Sequence, residues 1–296
     1  MSVDRSRLHI ALQRSGRLSD FSKDLLREAG LRLEAGKNSL TARAANFPAD
    51  LMFVRDDDIP TFVSDGACEF GIVGENVLEE FALGQAEPGF ERIAELGFGR
   101  CSLRIAAPER LTFEGPQSLS GQRIATSYPR LLKRYLDENE VVAEVVQMKG
   151  AVELAPRLEI ANFICDLVST GATLEANGLR PVATVLESQA QLIRTRKPLD
   201  EGRSAIAEQL LSRLDGVLAT KESKYIMLNA PSEALKNITD LLPGAEAPTI
   251  LPLHGRPGQF AVHAVCQESV FWETLQKLKA AGASAILVVP IEKMML

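Results

Sequence analysis

Several residue classes are scarce in this sequence, and each scarcity excludes a class of protein. The chain of 296 residues holds 4 cysteines, and no two of them form a C-x-x-C pair. Scattered cysteines argue against both a disulfide framework and a zinc site, and they fit a reducing compartment. Aromatic residues make up only 5% of the chain, which disfavours a stacking platform for single-stranded nucleic acid.

Basic runs and long apolar runs are also missing. The formal net charge is −6 and no Lys/Arg-rich segment stands out, so we expect no nucleic-acid partner. No apolar stretch approaches the ~20 residues that a membrane helix needs. The first residues, MSVDRSRLHI, lack the apolar segment and small-residue cleavage site of a secretion signal. The sequence therefore predicts a cytoplasmic protein without a membrane partner.

What is present is the composition and element pattern of a globular α/β protein. Hydrophobic residues make up 46% and charged residues 24% of the chain, as in ordinary globular domains. The apolar run Leu8–Leu12 predicts a strand, and the amphipathic stretch FSKDLLREAGL predicts a helix. Ser19 or Asp20 is expected to cap that helix, and Gly30 to end it. Strands and helices continue to alternate downstream, with a short helix from Ile59, which favours a largely parallel sheet.

The same pattern predicts the domain organisation. A second α/β unit starts near Leu96, and its segment VELAPRLEIAN is predicted to be a helix. The strand-like stretch ATVLESQAQLIRT is where the chain is expected to return to the first unit. We therefore predict two periplasmic-binding-protein-like lobes around a cleft. Lobe I comprises residues 1–95 with a return segment at about 184–220, and lobe II comprises residues 96–183.

Residues 221–296 predict a separate C-terminal domain. Their apolar segments read strand, helix, strand, strand, helix, strand, beginning with KYIMLNAP and ending with SAILVVPI. This β-α-β-β-α-β order is typical of a ferredoxin-like sandwich. Such small modules often bind regulatory ligands, although a fold alone does not establish a function.

The segment Cys165–Leu174 carries the clearest chemical pattern. An apolar strand leads directly into Ser169-Thr170-Gly171, and a helix is expected to begin there. Backbone N–H groups and hydroxyls at such a position form a nest for a phosphate group, and glycine allows close approach. A helix capped by serine or threonine, without a ligand, has the same local pattern. The segment is not a P-loop, because G-x-x-x-x-G-K-[ST] is absent.

A longer motif around this segment resembles a known family. From Glu153 to Leu174 the chain reads E-x5-E-x-A-x2-I-x-D-L-x2-T-G-x-T-L. This string is similar to the signature of ATP phosphoribosyltransferase, the first enzyme of histidine biosynthesis. Further similar stretches follow the family's order along the whole chain: QRSGRLS, VRDDDIP, GIVGENVLEE, IATSYPRLLKRYL, ESKYIMLNAP, PTILPL and FWETLQKLKAAGAS. The signature expects glycine where this chain has Glu159, a departure outside the phosphate loop.

The resemblance implies a glycosyltransferase with two groups of substrate-binding residues and no covalent nucleophile. The residues expected to bind 5-phosphoribosyl 1-diphosphate are Glu153, Asp166, Ser169, Thr170, Gly171, Ala172, Thr173 and Leu174. The residues expected to bind ATP or the diphosphate are Ser15, Gly16, Arg17, Leu18, Arg55, Glu75, Asn76 and Tyr128. Arg17 has the fork of donors that suits phosphate, although a solvated arginine is the alternative. Tyr128 is expected to stack on adenine or to pack in a loop.

The resemblance also implies a metal ion, an inhibitor and an oligomer. Mg²⁺ is expected to arrive with the substrate and to contact Asp166 or Glu153, and Asp56–Asp58 are candidates for further oxygen ligands. Asp57 or Asp58 could instead cap the helix that begins at Ile59. Histidine is the implied feedback inhibitor, with Thr249 and Ala285 in its pocket. The family likeness implies a homo-oligomer, a hexamer in equilibrium with dimers.

Two other classes of protein share parts of this pattern. Two lobes crossed twice by the chain also describe solute-binding proteins and the effector domains of transcription regulators. The missing signal peptide, the missing DNA-binding helix-turn-helix and the extra C-terminal module argue against those classes. A porphobilinogen-type deaminase is a further bilobal alternative, but its chemistry needs a cysteine that carries a cofactor on an exposed loop. No cysteine here stands clearly in such a loop.

Overall fold

The structure is a computed structural model that describes residues 4–35, 39–220, 223–242 and 247–294. The chain divides into two compact units. One unit comprises Met1–Arg27 and Leu31–Ala207, and the other comprises Glu28–Gly30 and Glu208–Leu296. Among the described residues, no helix is long and apolar enough to cross a membrane.

The first part of the chain alternates between strands and helices. In chain order these elements are β1 (Leu8–Gln13), α1 (Arg17–Glu28), β2 (Leu33–Ala35), β3 (Thr41–Ala44), β4 (Ala49–Val54), α2 (Ile59–Ser64), β5 (Phe70–Gly74), α3 (Glu75–Ala82), β6 (Phe90–Glu95), β7 (Cys101–Pro108), β8 (Arg123–Thr126), α4 (Pro129–Glu138), β9 (Glu144–Gln147), β10 (Phe163–Val168), α5 (Ala172–Ala176), β11 (Leu179–Ser188) and β12 (Ala190–Thr195). The remaining elements are α6 (Glu201–Leu218), β13 (Ser223–Pro231), α7 (Leu235–Leu241), β14 (Thr249–Pro252), β15 (Gln259–Gln267), α8 (Glu268–Ala280) and β16 (Ser284–Pro290).

Two sheets of the first unit form two lobes, and the five strands of lobe II share the topology of five strands in lobe I. Lobe I has the strand order β2-β3-β4-β1-β5-β12-β6, and lobe II has the order β11-β7-β10-β8-β9. The central strands are parallel except for β12 in lobe I and β7 in lobe II. Each of these antiparallel strands is the first one after the chain crosses from the other lobe. The two-lobed α/β fold predicted from the alternation is therefore confirmed.

The two crossings lie side by side. The backbone N–H of Leu96 donates to the carbonyl oxygen of Ala190, and the N–H of Ala190 donates to the carbonyl oxygen of Phe98, both at 2.9 Å. Ala190 is fully buried, and Gly97 and Gly99 have φ angles of 71° and 67°. Hydrogen bonds thus join the two segments that connect the lobes. Any change in the angle between the lobes must therefore bend these two segments together.

Alternating side chains of β10 serve the two faces of the lobe II sheet. Phe163 and Cys165 belong to a core cluster with Leu131 and Leu132 of α4. Ile164 belongs to the cluster on the opposite face, where Val152 and Leu174 also pack. Asp166 continues the second face.

The C-terminal unit contains the predicted β-α-β-β-α-β module. Its sheet has the order β14-β15-β13-β16, and every neighbouring pair is antiparallel. One face is buried by Ile226 and Leu228 of β13 and Val262 of β15, which pack with Ile238 of α7 and Leu278 of α8. This order and pairing are those of a ferredoxin-like sandwich, so the predicted fold of the module is confirmed.

Local predictions failed at two places. Residues 152–162 do not form a helix; a 3-10 turn at Val152–Leu154 is followed by further turns. Pro156 limits helix formation there, and Glu159 has a φ of 55°, which is incompatible with a right-handed helix. The proposed caps of α1 were also wrong, because the helix already starts at Arg17 and Ser19 is buried inside it. Gly30 ends the helix as predicted, with a φ of 86°.

Candidate functional site

The phosphate loop predicted from the sequence follows β10 directly. Gly171 stands at the N-cap of α5 with a φ of 83°, and no side chain caps the helix. A Cβ atom at Gly171 would meet nothing within 4 Å, so the backbone angle, not crowding, favours glycine here. Ser169 and Thr170 are exposed. The alternative of a helix capped by a serine or threonine hydroxyl is therefore wrong.

The hydroxyl groups of this loop have no internal function in the described part of the chain. Neither Ser169, Thr170 nor Thr173 donates a side-chain hydrogen bond to another described residue. They remain available to a ligand. The helix behind them has only 5 residues, so its dipole contributes less than the sequence suggested, and the hydroxyl and N–H donors matter more.

Asp166 and Glu153 form a pair of carboxylates beside the loop. Asp166 lies on β10, and Glu153 lies in the 3-10 turn that covers the same face of the sheet. Burial raises the pKa of Asp166, and the negative charge of Glu153 raises it further, although the N–H of Leu167 donates to Oδ1 at 2.8 Å. Two partly dehydrated carboxylates that repel each other favour a ligand that brings hydroxyl protons or a cation.

The first loop of lobe I is open to solvent. Ser15, Gly16 and Arg17 are exposed, and Leu18 is half-buried. The N–H of Asp20 donates to the carbonyl oxygen of Gly16 at 3.2 Å, so Gly16 begins the helix. Arg17 makes no ion pair with any described residue. The loop can therefore present a free guanidinium to an anion without breaking an internal contact.

The acidic stretch after Arg55 lies in a second exposed segment of lobe I. Asp56–Asp58 form a 3-10 turn, and Asp58 occupies the N-cap of α2 without a side-chain hydrogen bond. The interpretation of Asp57 or Asp58 as a capping side chain is therefore wrong. Burial raises the pKa of Asp57, and the neighbouring charges of Asp56 and Asp58 add to the effect. Among the described residues, no group of three or more His, Cys, Asp or Glu side chains is arranged to hold a metal ion.

Asn76 and Tyr128 meet between the lobes. Nδ2 of Asn76 donates to the hydroxyl oxygen of Tyr128 at 2.9 Å, and both residues are buried. The hydroxyl of Ser188 donates to Oδ1 of Asn76 at 2.9 Å and accepts from its backbone N–H at 3.1 Å. Tyr128 packs in the lobe II core. This small polar cluster fixes the start of α3 against lobe II.

Carboxylates of both lobes influence the hydroxyl group of Tyr128. Burial raises the pKa of Tyr128, and the charges of Asp56, Asp57 and Asp166 raise it further, although the hydrogen bond from Asn76 opposes this change. Asp56 and Asp57 belong to lobe I, and Asp166 belongs to lobe II. The charges of the acidic stretch in lobe I and of the phosphoribosyl segment in lobe II therefore both influence the same hydroxyl group.

A second set of contacts between the lobes was not foreseen. The Glu80 carboxylate accepts hydrogen bonds from the N–H groups of Arg130 at 3.0 Å and Leu131 at 2.9 Å. Glu79 accepts a hydrogen bond from Arg134 at 3.0 Å and is also paired with Arg92. Burial alone would raise the pKa of Glu79, but these two arginines lower it. The string GIVGENVLEE contains both glutamates, yet nothing in their spacing indicates a partner 50 residues downstream.

Glu75 lies near Glu79 and Arg92, but Arg92 does not donate a hydrogen bond to it. Its carboxylate is 3.6 Å from Nη1 of Arg92. Burial raises the pKa of Glu75, and Arg92 only partly compensates.

The predicted effector residues lie apart from each other in the C-terminal module. Thr249 is on β14 and Ala285 is on β16, the two edge strands of the sheet, and both are exposed. Three inter-strand steps separate these strands by about 14 Å. Ala285 has a φ of 47°. One copy of the module therefore does not bring the two residues to a common small ligand.

Comparison with known proteins gives concordant matches for the two parts of the chain. The family model described as "HisG: ATP phosphoribosyltransferase" matches residues 55–216, and the one described as "HisG, C-terminal domain" matches residues 220–293. A curated ATP phosphoribosyltransferase from Maricaulis maris (strain MCS10) is 54% identical over 291 residues, which cover 98% of this chain and 99% of that protein.

A solved structure has a similar fold. It is described as an ATP phosphoribosyl transferase (HisG:HisZ) complex from Thermotoga maritima. The TM-score is 0.57 at 24% identity, and the match covers 70% of this chain and 98% of that chain. At this identity the similarity concerns the fold alone.

Proposed function

The chain belongs to the ATP phosphoribosyltransferase family of pentosyltransferases, and we propose that it condenses ATP with 5-phosphoribosyl 1-diphosphate. The products are N1-(5-phosphoribosyl)-ATP and diphosphate. The reaction is the first step of histidine biosynthesis, and we propose that the chain performs it in the cytoplasm.

One observation carries the proposal. Asn76 of lobe I, which belongs to the predicted ATP group, donates a 2.9 Å hydrogen bond to the hydroxyl of Tyr128 in lobe II. The negative charges of Asp56 and Asp57 from lobe I and of Asp166 from lobe II all raise the pKa of that hydroxyl. A reaction between two substrates needs such a meeting point, because bringing the reacting atoms together supplies much of the rate enhancement.

The transfer needs no covalent nucleophile. N1 of adenine forms a bond to the anomeric carbon while the bond from that carbon to the diphosphate oxygen breaks. In this proposal Glu153 and Asp166 accept hydrogen bonds from the ribose hydroxyls. The hydroxyls of Ser169, Thr170 and Thr173 donate to the 5-phosphate. Catalysis is then positioning combined with electrostatic stabilisation of an oxocarbenium-like state.

The remaining ATP-site residues are proposed to act on the other substrate. Arg17, with Ser15, Gly16 and Leu18 in its loop, is proposed to contact ATP or the diphosphate, and its free guanidinium supports this role. Arg55 is exposed in the neighbouring segment and can contribute a second positive charge. The side-chain amide of Asn76 donates a hydrogen bond to the hydroxyl of Tyr128, so a stacking function of Tyr128 would use the ring and not the hydroxyl.

Enzymes of this family need a divalent metal ion, and we propose that it is Mg²⁺. The described side chains contain no cluster of three or more ligands. We propose that the ion enters with the diphosphate. Glu153 and Asp166 fit it, because they are hard oxygen donors whose mutual repulsion a cation would relieve. When bound, Mg²⁺ balances the charge of the leaving diphosphate.

Product formation tests the proposal. The purified chain is mixed with ATP, 5-phosphoribosyl 1-diphosphate, Mg²⁺ and pyrophosphatase, and phosphoribosyl-ATP is followed by ultraviolet absorbance. The wild type should form product, and E153Q and D166N should lose most of the rate while remaining folded. A folded wild type that forms no product would instead favour a two-lobed protein that only binds a small molecule.

We also propose that histidine inhibits the enzyme by binding to the C-terminal module near Thr249 and Ala285. Since these residues lie on opposite edges of one sheet, a single histidine can contact both only where two copies of the chain meet. This agrees with a homo-oligomer of dimers and hexamers. Adding histidine should lower the rate and change the sedimentation coefficient. If histidine leaves the rate unchanged, the proposed inhibition is wrong, whereas the proposed transferase function is unaffected.

A further inference from the structure

Arg104 occupies a central position in the lobe II sheet. It lies on β7, directly opposite Asp166 on β10 and Thr184 on β11. Residues in direct register point to the same side of a sheet. Arg104 therefore lies on the face that carries Asp166, one strand away from the proposed phosphoribosyl site.

In the described part of the chain, the guanidinium of Arg104 has no acidic partner. Its Nε donates to the hydroxyl of Ser102 at 2.7 Å, and it forms no ion pair with any residue that the structure describes. Asp166 takes its hydrogen bond from the N–H of Leu167 instead. Arg104 is nevertheless half-buried. A partly buried arginine with most of its donors free is suited to an anion that arrives from outside.

The contact with Ser102 indicates the direction in which the side chain lies. Ser102 is opposite Val168, the last residue of β10, and Ser169 follows immediately. The hydrogen bond therefore draws the guanidinium of Arg104 along its strand, toward the end of β10 that carries the phosphate loop.

A positive charge near the phosphate loop would favour binding of a phosphate group there. Residues 163–178 contain no lysine or arginine, whereas Asp166 and Glu175 add negative charge. The short α5 offers little dipole. Hydroxyl and N–H donors alone would have to balance a phosphate monoester beside the carboxylates of Asp166 and Glu153.

We propose that Arg104 is a substrate-binding residue whose guanidinium donates to the 5-phosphate of 5-phosphoribosyl 1-diphosphate. This inference rests on the function proposed above and adds a residue to the same site. The planar fork of arginine can donate two parallel hydrogen bonds to a phosphate, which lysine cannot.

Ribose 5-phosphate is the probe that isolates the 5-phosphate. Its dissociation constant is measured by calorimetry for the wild type, R104Q and R104K, with R123Q as the matched control. Arg123 lies in the same sheet, at the start of β8, and pairs with Glu144 on the surface. R104Q should bind ribose 5-phosphate about tenfold to a hundredfold more weakly, as expected for a lost charged hydrogen bond.

The other variants separate binding from folding. R104K should lose at least about threefold, because it keeps the charge but not the fork, and R123Q should bind as the wild type does. In the activity assay R104Q should raise KM for 5-phosphoribosyl 1-diphosphate while leaving KM for ATP unchanged. A general structural defect would move both values. If R104Q does not fold, the same measurements on R104K test the role of Arg104.

The inference and the proposed function fail separately. Unchanged affinity for ribose 5-phosphate in the folded Arg104 variants would overturn the inference even if the enzyme is active. A wild type that binds ribose 5-phosphate through Arg104 but forms no phosphoribosyl-ATP would overturn the transferase function alone. A wild type that does not bind ribose 5-phosphate would overturn the inference.

Discussion

The side-chain amide of Asn76 donates a 2.9 Å hydrogen bond to the hydroxyl of Tyr128, and the two residues come from different lobes. Because both are buried, water cannot easily replace either partner. The contact is one of the links that set the position of lobe I against lobe II. The charges of Asp56, Asp57 and Asp166 also influence the same hydroxyl group.

Removing the Tyr128 hydroxyl should lower stability. Y128F leaves the Nδ2 hydrogen of Asn76 unpaired in a dry environment, so the free energy of unfolding is expected to fall by about 1–3 kcal/mol. Urea denaturation followed by circular dichroism measures this. Y135F is the control, since the hydroxyl of Tyr135 makes no hydrogen bond with the described residues, and a change of less than about 0.5 kcal/mol is expected. Equal effects of both substitutions would contradict the account.

Glu80 is expected to act as a helix cap supplied by the opposite lobe. In E80A the N–H groups of Arg130 and Leu131 lose their acceptor, so unfolding should become easier by about 0.5–2 kcal/mol, as for other lost caps. E87A removes an exposed pair with Arg196 and should cost less than about 1 kcal/mol. Thermal denaturation of the two variants compares them. A change at Glu80 no larger than that at Glu87 would refute the capping role.

The carboxylate of Asp166 is expected to lower the stability of the fold at neutral pH while supporting the reaction. Burial and the charge of Glu153 raise its pKa above the ordinary 3.8. Between pH 3.8 and the raised pKa, the folded chain therefore binds more protons than the unfolded chain, and stability falls as the pH rises through this range. D166N should therefore raise the melting temperature at pH 7 while losing most of the rate of product formation. The gain should vanish below about pH 3.8, where both states are protonated.

Asp200 provides a control of opposite sign. The N–H and the guanidinium of Arg203 lower its pKa, so its charged form favours the folded chain at neutral pH. D200N should lower the melting temperature at pH 7, and its effect should disappear on acidification. A destabilised D166N beside an unaffected D200N would show that the direction assigned to these carboxylates is wrong.

Glu159 should be replaceable by glycine with a gain in stability. Its φ of 55° lies in the left-handed region, which costs a residue with a Cβ atom roughly 1–2 kcal/mol. E159G should recover about 1 kcal/mol of that strain, measured by urea denaturation. E138G, in the last turn of α4, should instead lose roughly 0.5–1 kcal/mol. A loss at both positions would mean that Glu159 contributes contacts that outweigh its backbone strain.

Much of the fold could be predicted from the sequence because local patterns determine it. The apolar run Leu8–Leu12 became β1, and the β-α-β-β-α-β order of the C-terminal module reappears in its sheet. Element order also indicated that the chain crosses between lobes twice. The segment 152–162 failed because its apolar spacing resembles a helix, whereas the backbone at Glu159 turns the other way.

Less of the candidate site could be predicted from the sequence, because its contacts join distant parts of the chain. The loop Ser169–Gly171 was visible as a local strand–loop pattern. By contrast, Asn76 and Ser188 are 112 residues apart and Glu80 and Leu131 are 51 apart. Arg104 carries no motif of its own, and only its register with Asp166 indicates a function.

In the proposed function both substrates meet between the lobes and are joined there. Mass spectrometry of the reaction products, with ATP and 5-phosphoribosyl 1-diphosphate supplied together, tests this reaction. The wild type should form one phosphoribosyl-ATP for each diphosphate that it releases, and folded D166N should form far less of both products. Diphosphate released without phosphoribosyl-ATP, or equal product from D166N, would contradict the proposed function.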